Sequence, residues 1–281
     1  MSVLEALLLG IVQGLTEFLP ISSSGHLIIV PWLQDYTFLE HNESFNKTFD
    51  VALHAGTLVA AISYFRREIV RFTLAFLHSV RRRAVYTVDE RIAMAIAIGT
   101  IPAVLAGGIG SSFIEDHLGE PWMIGIQLIL FGALLGWADR LPQSRGFDSV
   151  NLGDGLKIGL AQVLALAPGT SRSGITITAA RYLGFDRDTA ARVSFLLLIP
   201  AVAGATVFSA YKAISDGLPD GVAGPIIVGT ISSAISGYFA IAWLLRLLRT
   251  HSYRPFVLYR YFAGAFILLL IVTGIRSATF G

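Results

Sequence analysis

The chain has 281 residues and a net charge of +2; 54% of it is hydrophobic, only 14% is charged, and the mean hydropathy is +0.67. A soluble domain carries about 25% charged residues, so these values exclude one and imply an integral membrane protein. The absence of cysteine excludes a disulfide framework or a thiolate metal site, and the small net charge gives no footing for nucleic acid.

In chain order, the first apolar region, 3–33, is interrupted midway by "TEFLPISSSGH" (16–26). It has no basic n-region, so it does not read as a cleavable signal peptide. Apolar spans follow at 50–65, 92–110 and 121–139. A second interrupted region occupies 152–183, and spans at 193–214, 224–245 and 257–275 complete the chain. About 20 apolar residues cross a hydrocarbon core. The fold class expected is an all-α polytopic membrane protein with about six transmembrane helices and two re-entrant helix-loop-helix elements.

Charge orients the chain. Arg66, Arg67, Arg71, Arg81, Arg82, Arg83 and Arg91 fall in one connection. Arg140, Arg145 and Lys157, then Arg181, Arg187 and Arg192, then Arg246, Arg249, Arg254 and Arg260 are assigned to the same side. Asp35, Glu40, Glu43, Glu115, Asp116, Glu120, Asp216 and Asp220 occupy the alternate connections. The basic side is cytoplasmic by the positive-inside rule. Stretch 68–80 reads as an amphipathic helix on the lipid surface. The alternation holds if the first broken element dips in from outside and the second from the cytoplasm. Full crossing by both elements is the alternative.

The two broken elements resemble each other. At an offset of 149, Gly10, Gln13, Ser22, Ser24 and Gly25 match Gly159, Gln162, Ser171, Ser173 and Gly174. A single membrane domain, 1–281, built from inverted repeats over 1–140 and 150–281, is the expected organisation. The polar tips then meet near the midplane. One tip carries Glu17, Ser22, Ser23, Ser24 and His26; the other carries Ser171, Arg172 and Ser173.

Two helix N-termini and an arginine fork suit phosphate or pyrophosphate. Ser23 and His26, three residues apart, suit nucleophilic attack with base assistance. Glu17 has three open roles: orienting His26, relaying a proton or holding a divalent cation. Serine packing and a plain Glu17–Arg172 ion pair are the non-catalytic readings. His54, in "DVALHAGT", is a further candidate. On these residues alone, an anion transporter competes with a membrane enzyme.

"QGLTEFLPISSSGH" (13–26) and "PGTSRSG" (168–174) resemble the undecaprenyl-pyrophosphate phosphatase family, also known as the bacitracin-resistance protein family. The resemblance covers nearly the whole chain. It implies removal of one phosphate from undecaprenyl pyrophosphate, which recycles the lipid carrier for peptidoglycan and cell-wall synthesis. It places the chain in the bacterial plasma (inner) membrane, with the site open to the extracytoplasmic side. It implies catalytic roles for Ser23, His26, Glu17 and Arg172. Ser22, Ser171, Ser173 and Gly174 line the substrate, with Ser24, Gly25 and Gln13 beside them. A divalent cation, Mg²⁺ or Ca²⁺, at Glu17 is also implied, although some members have glutamate where this chain has Gln13. Association into a homodimer is left open.

The orientation is testable because the chain has no native cysteine. In Arg82→Cys, an impermeant thiol reagent outside intact cells is expected to leave position 82 unlabelled. Labelling there would reverse the topology.

Overall fold

The computed structural model describes residues 1–34, 36, 43–216 and 222–279, without the side chains of 43–44, 111–117 and 208–216. Asp35, Glu40 and Asp220, and the side chains of Glu43, Glu115, Asp116 and Asp216, therefore lie outside the described residues. The secondary structure is helical, with one isolated bridge between Arg145 and Phe185.

The first broken region forms α1 (Val3–Phe18) and α2 (Ser23–Gln34). Then come α3 (Glu43–Tyr64), α4 (Arg66–Arg82), α5 (Val88–His117) and α6 (Pro121–Ala138). The second broken region forms α7 (Leu152–Gln162), a 3₁₀ turn (Val163–Leu166) and α8 (Arg172–Tyr182). The chain ends with α9 (Arg187–Asp216), α10 (Ala223–Leu247) and α11 (Arg254–Val272). Helices α5, α6, α9, α10 and α11 each contain a stretch long and apolar enough to cross a membrane. The span expected at 50–65 starts earlier, at Glu43, and passes the same criterion only together with α4, from which it is bent by 83°.

Both broken regions start alike. Ser2 and Glu5 form a capping box at α1, and Asn151 and Asp154 form one at α7, again 149 residues apart. Each satisfies otherwise orphaned N–H groups.

Small residues bring the helices together. Gly10 and Gly14 of α1 face Ser232, Gly229 and Ser236 of α10; Gly155 and Gly159 of α7 face Ala95 and Gly99 of α5. At all four glycines an added Cβ would overlap the facing helix. Close small-residue contact is how helices associate where lipid removes the hydrophobic driving force. Helix α3 adds side chain-to-backbone bonds: Ser233 Oγ donates to the Leu53 carbonyl at 2.8 Å, and Thr230 Oγ1 to the Ala52 carbonyl at 3.2 Å. The core between α1, α3 and α9 is closed by Phe18, Phe65 and Phe195, with the first and last edge-to-face at 5.4 Å.

Several arginines assigned to the basic connections staple the basic end. Arg145 pairs with Asp154 (2.6 Å) over the Phe185 ring, and Arg187 pairs with Asp139 (2.6 Å). Arg181 is fully buried and donates to the carbonyls of Phe185, Asp139 and Leu141.

Gly155→Leu is expected to lower stability by at least the roughly 1–3 kcal/mol typical of overpacking, because the facing atom is backbone. Gly204→Leu, where nothing lies within 4 Å, is the control. Thermal unfolding in detergent measures both.

Candidate functional site

Each loop is built on a serine in a conformation that side chains disfavour. Ser22 has φ 78° and Ser171 has φ 74°. Each directly precedes a helix and caps it: Ser22 Oγ accepts from Gly25 N at 3.3 Å, and Ser171 Oγ from Gly174 N at 3.1 Å. A positive φ at a non-glycine residue is strain of order 1–3 kcal/mol, held by surrounding contacts. Here it turns the chain sharply enough to aim the first residue of each new helix, Ser23 or Arg172, back at the end of α1. The helices thus begin at the residue directly after the strained serine, Ser23 for α2 and Arg172 for α8.

The tips meet. Gly169 N donates to Ser22 Oγ at 3.1 Å, and Ser173 Oγ donates to the Leu19 carbonyl at 3.1 Å. Gly25 packs closely at this junction: a Cβ there would lie 3.2 Å from Ile124 Cγ2 and from Ser22 Oγ. Ser24 stays close to the first turn, its Oγ 3.5 Å from Ser22 Oγ.

Glu17, buried in the last turn of α1, is the hub. Its Oε1 accepts from the Arg172 guanidinium, and its Oε2 accepts from Ser23 Oγ and from Gln13 Nε2 (3.2 Å). His54 Nε2 lies 3.9 Å from Glu17 Oε2, and His54 Nδ1 lies 2.7 Å from the Asp50 carbonyl. The further candidate His54 therefore borders the site.

The expected Ser23–His26 pair does not form. His26 Nδ1 lies 2.6 Å from the Ser22 carbonyl, one turn back, so that nitrogen donates. Nε2 is then an acceptor, 2.6 Å from the Tyr259 hydroxyl, and the ring stacks on Tyr259 at 5.7 Å. Three-residue spacing in a first helical turn did not suffice, because Ser23 reaches back to α1 while His26 is held by its own turn. The Arg172 guanidinium, for its part, pairs with Glu17.

Arg260 requires a larger correction. It was assigned to a basic connection, yet it lies inside α11 and is fully buried. Its Nε donates to the Leu128 carbonyl (3.0 Å) and its Nη1 to the Pro20 carbonyl (3.2 Å). Its Nη2 donates to the carbonyls of Gln127, Gly169 and Thr170 at 3.0–3.2 Å. Both loops and α6 thus hang on one side chain. Gly132 and Gly174 leave room for it, since a Cβ on either would come within 3.1 Å of Arg260 atoms. The signal was present in "PFVLYRYFAGAF": an ionisable residue inside an apolar span marks a site. Tyr259 and Gln127, which accepts from Thr170 Oγ1 at 2.9 Å, carried no such signal.

Among the described residues no three of His, Asp and Glu come together as a metal cluster. The oxygens on offer are the Glu17 carboxylate and Gln13 Oε1, which is buried without a hydrogen-bond partner. Mg²⁺ is commonly held by one or two carboxylates plus substrate phosphate oxygens, so this donor set fits a hard divalent cation that a phosphate ligand helps to bind.

Fold and site together define a polytopic all-α membrane protein whose two broken elements bring together a hydroxyl, a carboxylate and an arginine. Residues 6–266 match the family described as bacitracin resistance protein BacA. The undecaprenyl-diphosphatase of Pelobacter propionicus is 46% identical over 279 residues, covering 99% of this chain and 100% of that protein. That of Geobacter sulfurreducens is 47% identical over 270 residues, covering 95% and 98%, and that of Nocardioides sp. is 45% identical over 277 residues, covering 98% of each. The chain belongs to the bacitracin resistance protein BacA family.

Arg260→Gln would leave buried loop carbonyls without donors, at about 1–3 kcal/mol each. A fall in the thermal unfolding midpoint of detergent-solubilised protein is expected, with Arg260→Lys intermediate. An unchanged midpoint in Arg260→Gln would remove the clasp role.

Proposed function

We propose that the chain hydrolyses undecaprenyl pyrophosphate to undecaprenyl phosphate and phosphate in a bacterial plasma membrane, from the extracytoplasmic side. The carrying observation is the Ser23 hydroxyl hydrogen-bonded to a buried carboxylate that is itself paired with Arg172. Membership of a family whose relatives bear the name undecaprenyl-diphosphatase supports the substrate. A transporter reading has no observation of its own, since transport needs no hydroxyl held on a base.

In this reading the terminal phosphoryl group takes Arg172 from Glu17. The free N–H groups at the starts of α2 and α8 add donors. Ser23 Oγ attacks the terminal phosphorus and its proton passes to Glu17. The bond from that phosphorus to the bridging oxygen breaks, and Glu17 passes the proton on to the bridging oxygen, which leaves as part of the lipid phosphate. Glu17, ionised again, deprotonates a water that attacks the phosphoserine; the Oγ–P bond breaks, Glu17 returns that proton to Ser23 Oγ and phosphate departs. Arg172 stabilises the charge on the phosphoryl oxygens throughout. Glu17, rather than His26, is the base in this scheme, because Glu17 touches the hydroxyl. A bound Mg²⁺ or Ca²⁺ would be held by Glu17 and Gln13 Oε1 and would supply further charge neutralisation. Attack by His26 or by water is the alternative that the variants below separate.

The inverted-repeat organisation, 1–140 and 150–281, belongs to the same proposal. It draws support from reciprocal packing, α1 on α10 and α7 on α5, and from capping boxes and strained serines repeated at one offset.

Purified protein is expected to release phosphate from undecaprenyl pyrophosphate, less so with chelator, and with recovery on added Mg²⁺. No release would refute the function. Arg172→Lys loses the bidentate fork and should cost roughly 10²–10³ in rate. Ser23→Ala should lose turnover by roughly 10³ or more while substrate still binds, with Ser24→Ala much milder. Substantial turnover in Ser23→Ala, with His26→Ala inactive, would transfer the nucleophile to His26 or water.

A further inference from the structure

The helix α4 has no part in the site, and its surface falls into three sectors. Ile69, Phe72, Phe76 and Ser79 face the protein, with Phe72 buried 6.1 Å from the Phe147 ring. Val70, Leu74, Leu77 and Val80, spaced three and four apart, form a second stripe, and each is more than half exposed. Arg67, Arg71, His78 and Arg82 occupy a third edge. Helix α4 is bent by 83° from α3, so where α3 crosses a bilayer α4 runs nearly in its plane.

The charge on this segment is largely uncompensated. Arg71 pairs with Asp89 (3.4 Å) and Arg82 with Glu90 (3.0 Å), while Glu68 faces Arg192 (3.8 Å). Arg66, Arg67, Arg81 and Arg83 are exposed and form no ion pair among the described residues.

We infer that α4 is a binding surface for anionic phospholipid headgroups, with its Val70–Leu74–Leu77–Val80 stripe sunk into the headgroup–acyl boundary and its arginines on lipid phosphates. An in-plane helix with an apolar stripe and a cationic edge sits at that depth, roughly 5–10 Å into the interface. Each exposed cation adds attraction to an anionic leaflet. A second copy of the chain is the weaker occupant. A two-fold contact through this stripe would set the same unpaired arginines against each other. Anionic lipid brings the opposite charge and an apolar bed together.

Two measurements on the full-length protein test this. In nanodiscs of equal phosphatidylcholine and phosphatidylglycerol, native mass spectrometry is expected to find phosphatidylglycerol retained over phosphatidylcholine by roughly tenfold. The combined variant Arg66→Gln, Arg67→Gln, Arg81→Gln, Arg83→Gln should lose most of that preference. Equal retention of both lipids by the unmodified protein, or an undiminished preference in the variant, would overturn the proposal. Independently, with all arginines intact, a fluorophore on the single cysteine of Leu74→Cys should be quenched by nitroxide on the upper acyl chain. It should be little quenched by an aqueous quencher. Quenching by the aqueous probe alone, or disulfide cross-linking between copies at position 74, would overturn it in favour of a surface for a soluble partner or a second copy.

Discussion

Two stretches of irregular backbone sit inside an apolar helical body, and each must find donors for its carbonyls without help from water. Arg260 answers most of that demand. Its guanidinium reaches carbonyls in both loops and in α6, so the position of one loop fixes that of the other. Gly132 and Gly174 give the side chain room, since a Cβ on either would crowd it at 3.1 Å. Gly174, which first appears to be a loop glycine in "SRSG", thus matters as much for the arginine behind it as for the turn it follows.

On that fixed frame the polar side chains sort themselves. Ser22 and Ser171 serve as caps, and Ser22 also bridges to the second loop by accepting from Gly169 N. Ser23 and Arg172, the next residues in each loop, converge on Glu17. The strain at the two capping serines and the geometry of the acceptor carboxylate are therefore parts of one arrangement. The rigid contacts of α1 with α10 and of α7 with α5 keep the loop stems from sliding, since the glycines there meet backbone atoms of the neighbouring helix.

Much of this was legible in the sequence. Apolar runs broken by Ser, Gly and Pro mark both broken helices, and the 149-residue offset pairs Ser22 with Ser171. Glu17 and Arg172 stood out as charges where charge is costly. Their pairing with each other was among the readings the sequence allowed, whereas the partners of Ser23 and His26 were not legible. Spacing along one helix suggested Ser23 with His26, but hydrogen bonds across helices decided otherwise: Ser23 bonds to α1 and His26 to α11. His54 approaches Glu17 from α3 through tertiary packing that no local pattern encodes. Arg260 was misassigned because a count of positive charges treats every arginine near a span end as solvated, and this one is turned inward.

The Glu17–Arg172 pair leaves the site electrically closed on itself. Neither charge faces a low-dielectric surround alone, so the pair avoids the several kcal/mol that an isolated buried ion costs. A ligand that takes Arg172 must outbid a carboxylate already in place, and its affinity is then a difference between two ion pairs. Such a site discriminates by charge density. A group carrying several negative charges on adjacent phosphates would gain more by the exchange than a singly charged headgroup.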